Sequence, residues 1–331
     1  MNLTLRILPL VVAISLLGTA HGATFTVSKD GRGQFSSIQA AVDQAGKGDV
    51  VKILDAAVYN EQVTLDSTHA GLTLTSANPL SANKPTIRFQ DDIHVHPLTY
   101  DEAQNQNTID FDFNGALRLI TTNNITIDGI AIDGGGQFPF GGSGFWGGQW
   151  IMGNGGIMLT VCGNITIRNC DISNCFFGIH MKDRNEGGIF ANANPHDLSP
   201  QDVVPLSRFG RVGNHVIESN RVHHNTYGIW FESLWDLGST VRYNLFYENY
   251  PTRDALNVMN GIHSNAVLSE GAALGFRDVL YTPVEISNNT FWENSTIFFD
   301  AAYQVGGPHL VFNNIHGKPY KYFNDLPVNR P

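Results

Sequence analysis

Apolar and polar residues in this chain alternate in short bursts, without the three-to-four-residue period of a helix. One phrase recurs: a turn containing Asn, then Gly-Ile, then an alternating strand. It reads Asn174-Cys175-Phe176-Phe177-Gly178-Ile179-His180-Met181-Lys182 and again Asn225-Thr226-Tyr227-Gly228-Ile229-Trp230-Phe231-Glu232. Weaker copies are Gly156-Ile157-Met158-Leu159-Thr160 and Gly261-Ile262-His263-Ser264-Asn265. A second strand precedes the phrase in each repeat, at Asn124–Ile127, Asn164–Ile167, His215–Glu218 and Val284–Ser287. Short strands repeated between polar turns predict an all-β solenoid, in which each repeat buries its apolar face only by stacking on its neighbours.

Stacking makes register informative. If Ile of each Gly-Ile pair points inward, the next residue points outward. Outward positions then form two columns on one sheet: Arg118, Met158, His180, Trp230, His263, and beside it Ile120, Thr160, Lys182, Glu232, Asn265. Neighbouring coils lie about 4.8 Å apart, so Lys182 should sit beside Glu232. The apolar positions Ile157, Ile179, Ile229 and Ile262 should form one inner stack, and Met181 and Phe231 a second.

Two stretches break the repeat. Residues 134–156 are rich in Gly and aromatics, including Trp146 and Trp150, and residues 184–213 add a long excursion after Lys182. Long excursions on one side of a solenoid commonly build a binding wall. At the other end, Thr24–Val27, Asp49–Ile53 and Tyr59–Leu65 read as strands. Phe35–Ala45 reads as an amphipathic helix that covers the open edge of the first coil. Ahead of these, Arg6, an apolar run over Ile7–Leu17 and the small residues Gly18, Ala20, Gly22 and Ala23 read as a secretory signal peptide over residues 1–22, leaving residues 23–331 as one domain.

Composition narrows the partners. A net charge of −10 argues against nucleic acid. Cys162, Cys170 and Cys175 are too few for a disulfide framework and are expected as small buried residues. No later run is apolar enough to span a membrane, and a secreted monomer is expected.

The entry segment Val27-Ser-Lys-Asp-Gly-Arg-Gly-Gln-Phe-Ser-Ser-Ile-Gln-Ala-Ala-Val-Asp43, continued by Gly48-Asp49 and Tyr59-Asn60-Glu61, is similar to the one shared by pectin methylesterases and several polysaccharide lyases. The later Gly-Ile phrases resemble the repeats of pectate-lyase-like proteins. The resemblance implies a right-handed parallel β-helix with an N-terminal capping helix, acting on carbohydrate. It does not extend to the esterase's catalytic motifs: Asp110-Phe111-Asp112-Phe113-Asn114 echoes one only superficially, and the polygalacturonase triplets are absent.

The leading expectation is therefore a secreted lyase that cleaves a uronic-acid-containing polysaccharide by β-elimination. Such chemistry needs a base and a cation that neutralises the uronate. Lys182 is the candidate base, with Arg184 and Glu232 completing the catalytic group. His180, Trp230, His263, Trp146, Trp150 and Arg253 are candidate substrate contacts. Asp183, Glu232 and Asn265 offer oxygens suited to Ca²⁺. A hydrolase using Asp183 and Glu232, or a purely carbohydrate-binding solenoid, are the alternatives. His223-His224 could be a metal pair, but neighbouring strand residues face opposite ways, which argues against a shared site.

Overall fold

The computed structural model describes residues 22–89, 115–137, 139–143, 149–182, 213–232, 238–253, 255, 271–277, 284–300 and 310–317. The signal-peptide segment, the excursion after Lys182, and Arg184, Asp183, His263, Asn265 and Trp146 lie outside these residues. For residues 139–143 and 149–153, and at positions 182, 232, 277, 299 and 300, the backbone alone is described.

Each coil contributes one strand to each of three parallel sheets. Sheet A stacks Thr24–Val27, Val50–Ile53, Thr73–Ser76, Thr126–Asp128, Thr166–Arg168, Val216–Glu218, Thr240–Arg242, Glu285–Ser287 and Leu310–Phe312. Sheet B begins at Val58–Asn60 and includes Asp171–Ser173, Arg221–His223 and Leu245–Tyr247. Sheet C carries the longer strands Gly115–Ile120, Gly155–Thr160, Phe177–Lys182, Tyr227–Glu232 and Ala272–Arg277. The chain runs A, B, C and back to A one coil further on, so every neighbour within a sheet is parallel.

Parallel stacking in register places like on like. Val51, Leu74, Ile127, Ile167, Ile217, Val241 and Ile286 form one column of sheet A, all fully buried. On sheet C the inner columns are Leu117, Ile157, Ile179, Ile229, Leu274 and Leu119, Leu159, Met181, Phe231, Phe276. Phe231 and Phe276 stack with ring centroids 4.9 Å apart, and Phe246 and Phe291 on sheet B at 5.1 Å. The expected stacks are present, with Leu274 in the place assigned to Ile262.

The corners are held by polar ladders. Asn220, Asn244 and Asn289 lie one above another, each nearly inaccessible to solvent. Asn244 Oδ1 accepts from the Asn220 backbone N–H and from its Nδ2, both at 3.0 Å, while Asn244 Nδ2 donates to the Ile217 carbonyl at 2.8 Å. Asn225, Asn249 and Asn294 repeat the arrangement at the next corner. A buried corner cannot leave its backbone N–H unpaired, and an amide side chain supplies both the acceptor and a donor in one flat unit. Cys170 and Cys175 end these ladders, taking the Asn220 and Asn225 bonds on their backbone N–H. All three cysteines are buried and free, as expected, and burial pushes the Cys170 thiol up to about 12.

Four stretches differ from the sequence expectation or add to it. The helix is shorter, Ile38–Val42: Phe35 is held in a β-bridge with Val27, Ser37 Oγ caps the first turn by accepting from the Ala40 N–H, and Glu61 accepts from the Ile38 N–H at 2.8 Å and the Gln39 N–H at 3.1 Å. That capping role takes Glu61 out of strand geometry, so Tyr59–Leu65 becomes two strands, Val58–Asn60 and Val63–Leu65, meeting at a corner. The aromatic break after Gly134 contains an antiparallel hairpin pairing Pro139–Ser143 with Gln149–Gly153. Finally, the coil after Glu232 closes through Thr240–Arg242, Leu245–Tyr247 and Ala272–Arg277 rather than through Gly261–Asn265.

Candidate functional site

Sheet C carries the longer strands: the aromatic excursion enters it at Gly155 and the second excursion leaves it after Lys182. The register confirms the expected neighbours along it: His180 pairs with Trp230, and Lys182 with Glu232. It continues with Gly275 beside Trp230 and Arg277 beside Glu232. The places expected for His263 and Asn265 are therefore held by Gly275 and Arg277. Two columns result, Arg118–Met158–His180–Trp230–Gly275 and Ile120–Thr160–Lys182–Glu232–Arg277.

The first column is not an open face. His180 is 3% exposed and Trp230 8%, although neither belongs to the central core. They join a separate apolar cluster outside the coil, made of Phe176, Phe177, Tyr227, Trp230 and Ala272. Phe177 stacks on Tyr227 at 5.5 Å, Tyr227 meets Trp230 edge-on at 4.7 Å, and the Phe177 ring lies 4.6 Å from His180. Trp230 is packed within this cluster and 8% exposed.

Phe177 and Tyr227 were not singled out by the sequence pattern, for a geometric reason. Strict alternation would send residue 177 inward, two before Ile179. The ladder instead pairs Phe177 with Tyr227 and Ile179 with Ile229 and skips the glycines between them. A Cβ on Gly178 would come within 2.4 Å of the Gly228 carbonyl oxygen. The bend that only glycine allows brings Phe177 to the same outer side as His180. Gly275 has a matching role: a Cβ there would lie 2.2 Å from Trp230 Cε3, so the indole lies across the next coil because that coil offers no side chain.

Arg118 is half-buried at the start of the column and donates to Gln62 Oε1 at 3.0 Å; Gln62 in turn donates to the Gly115 carbonyl. Trp150 sits in the hairpin, opposite Gly142. Arg253 is exposed and lies beyond the corner at Asn249. Of the three residues expected to hold Ca²⁺, only Glu232 falls within the described residues. Its register neighbours are Lys182 and Arg277. No group of three or more His, Cys, Asp or Glu able to hold a metal occurs among the described residues.

Among solved structures, the chain is similar to pectin methylesterase PemA from Erwinia chrysanthemi, at 11% identity over 89% of this chain and 94% of that one, with a TM-score of 0.44. It is similar also to the pectin methylesterase from carrot, at 11% identity over 90% and 84% of the two chains and a TM-score of 0.42. The GH136 lacto-N-biosidase from Eubacterium ramulus matches at 15% identity over 89% of this chain and 56% of that one, with a TM-score of 0.38. No curated protein matches the sequence. The chemistry of those proteins is not carried over at such identities. The sequence does match the right-handed β-helix region over residues 100–315, well over half of its length. With three parallel sheets closing coil upon coil over the same residues, the chain belongs to the right-handed β-helix family.

Proposed function

We propose that the protein is a secreted polysaccharide-active enzyme that cleaves a uronic-acid-containing polymer by β-elimination along the outer side of sheet C. The observation that carries this reading is the register Lys182–Glu232–Arg277, two cations flanking one carboxylate on successive coils. Elimination requires a base to take the proton on the carbon beside the uronate, and a positive group to stabilise the charge that then spreads onto the carboxylate. As the C–H bond breaks, its electrons form the new double bond and the glycosidic C–O bond opens.

In this reading Arg277 pairs with the uronate and with Glu232, because a guanidinium matches carboxylates two bonds at a time where an ammonium offers a single point charge. Lys182 is then the base. Glu232 holds the two cations in place. A Ca²⁺ held by oxygens from among Asp183, Glu232 and Asn265 belongs to the same proposal as a second neutraliser of the uronate, and the chelator arm below tests it. Export, a monomeric state and an acidic polymer as partner belong to the same proposal.

Incubation with pectate, alginate and glycosaminoglycans tests it, following the ultraviolet absorbance of unsaturated uronides with and without chelator. One of the polymers should yield unsaturated ends, and Lys182→Ala and Arg277→Ala should each lower the rate by about 10²-fold or more. Cleavage to saturated ends would replace the lyase with a hydrolase centred on Asp183 and Glu232. Binding without cleavage would leave only the carbohydrate-binding solenoid.

A further inference from the structure

The corner between sheets B and C carries a cluster that the proposed chemistry does not use. The strand Arg221–His223 ends at His223, and His224 adopts a left-handed backbone with φ +54°. The alternation that would separate neighbouring side chains therefore stops one residue early. The two rings meet instead, with Nδ1 of His223 2.7 Å from Nδ1 of His224. The opposite-facing geometry that argued against a shared site is therefore not the one adopted.

The outer nitrogens are equally constrained. His223 Nε2 lies 2.6 Å from Asp171 Oδ1, and His224 Nε2 lies 2.7 Å from Glu248 Oε2. Asp171 also accepts from Arg221 Nη1 at 3.2 Å, and Arg221 Nη2 donates to the Tyr247 hydroxyl at 2.9 Å. Tyr247 stacks on His223 with ring centroids 4.5 Å apart and planes within 14°. Asp171, His223 and Tyr247 come from three successive coils of sheet B, and Glu248 follows Tyr247 at the corner, so the solenoid register builds the cluster.

We propose that His223 and His224 form a binding site for a divalent transition-metal ion, ligated through their two Nδ1 atoms, with Asp171 and Glu248 holding the rings. With each Nε2–H donated to a carboxylate, the two Nδ1 atoms are left to face one another 2.7 Å apart. An imidazole whose other nitrogen donates to a carboxylate is the usual supported form of a metal-binding histidine. Two imidazole ligands favour Cu²⁺, Zn²⁺ or Ni²⁺ over the hard cations Ca²⁺ and Mg²⁺. The ion enters between the two Nδ1 atoms, and any proton held there leaves to solvent.

At a metal–nitrogen distance of about 2.0–2.1 Å, tetrahedral angles need the two nitrogens about 3.3 Å apart. They must open by about 0.6 Å beyond their present separation of 2.7 Å. His223 is held by Tyr247 and Asp171 and is 14% exposed, whereas the His224 side chain is 46% exposed and can make the adjustment. The carboxylates lie on the far side of the rings, so no third protein ligand reaches the ion among the described residues. The remaining positions fall to water or to a ligand, which makes this an open site.

Titration of the tag-free full chain with Cu²⁺ and Zn²⁺, in competition with a chromogenic chelator, tests the site. The chain has 12 histidines, so the variants decide the outcome. One ion per chain should lose affinity at least tenfold in His223→Gln and in His224→Gln, and roughly tenfold in Glu248→Gln, the usual scale for losing a carboxylate behind a ligand. The paramagnetic resonance spectrum of the Cu²⁺ form should show coupling to two nitrogens, reduced to one in His224→Gln. Equal affinity in the parent and the His223→Gln/His224→Gln double variant would overturn the proposal. A Cu²⁺ spectrum unchanged by His224→Gln would do the same. His224 and Glu248 are partly exposed, so these variants should fold, as a melting curve recorded without metal would verify.

Discussion

The inner corners and the outer side of sheet C come from the same repeat and follow opposite rules. At the corners the residue barely changes: Asn220, Asn244 and Asn289 each receive the backbone N–H of the coil before. On the outer side the column changes at every step, from Arg118 through Met158, His180 and Trp230 to Gly275. A solenoid must repeat whatever joins one coil to the next, because each junction faces the same unpaired groups. It need not repeat what faces away. Variation along a column is therefore where chemistry can be sought, and invariance is where stability should be.

Substitutions can break that division, beginning with the core. Ile229 is fully buried between Ile179 and Leu274. Ile229→Asp should bury an unpaired charge, cost several kcal/mol and remove cooperative thermal unfolding. A near-native melting temperature would show that the column is not the continuous core described.

Next is the ladder. Asn244→Ala should strand the Asn220 backbone N–H and the Ile217 carbonyl, costing about 3 kcal/mol in urea denaturation. A loss below about 1 kcal/mol would mean that solvent can reach the corner. Gly275→Ala tests the outer side sterically. The new methyl must displace the Trp230 indole, so tryptophan fluorescence should shift while stability falls by about 1–3 kcal/mol. An unchanged spectrum would place the indole elsewhere.

Lys182→Ala sharpens the contrast in the other direction, with stability within about 0.5 kcal/mol of the parent despite the loss of activity expected above. A large destabilisation would move Lys182 to the structural side of the comparison.

The smallest effect concerns pH at the first coil. Burial acts to raise the Asp55 carboxyl, but the Tyr59 hydroxyl and the backbone N–H groups of Lys29 and Ala57 outweigh it and hold the group below the ordinary aspartate value. The folded state then binds this proton less readily than the unfolded one. Its stabilising contribution is present above about pH 4, where an unfolded aspartate ionises, and fades as pH falls through the lower folded value. Asp55→Asn should lower the melting temperature slightly at pH 6 and leave it unchanged at strongly acidic pH. A constant difference at both would assign the effect to something other than this carboxylate.

The sequence by itself determined the class of fold, because stacking writes the same residue type into every coil: the Gly-Ile strands, the inner isoleucines and the pairing of Lys182 with Glu232 all follow from spacing. The N-terminal helix was legible from its apolar face, but not its length, since the group that caps it is Glu61 on a later segment. What defeated the pattern was loss of the repeated phrase or of strict alternation. Ala272–Arg277 carries no Gly-Ile and was passed over for Gly261–Asn265, so Gly275 and Arg277 went unseen. The bends at Gly178 and Gly228 brought Phe177 and Tyr227 to the outer cluster against a period of two. The left-handed turn at His224 joined two side chains that a strand would separate. Spacing along a chain encodes which coil a residue belongs to and, while alternation lasts, which way it faces. Where the backbone turns, direction is set by local dihedral angles and by partners from other coils, and only the tertiary structure decides it.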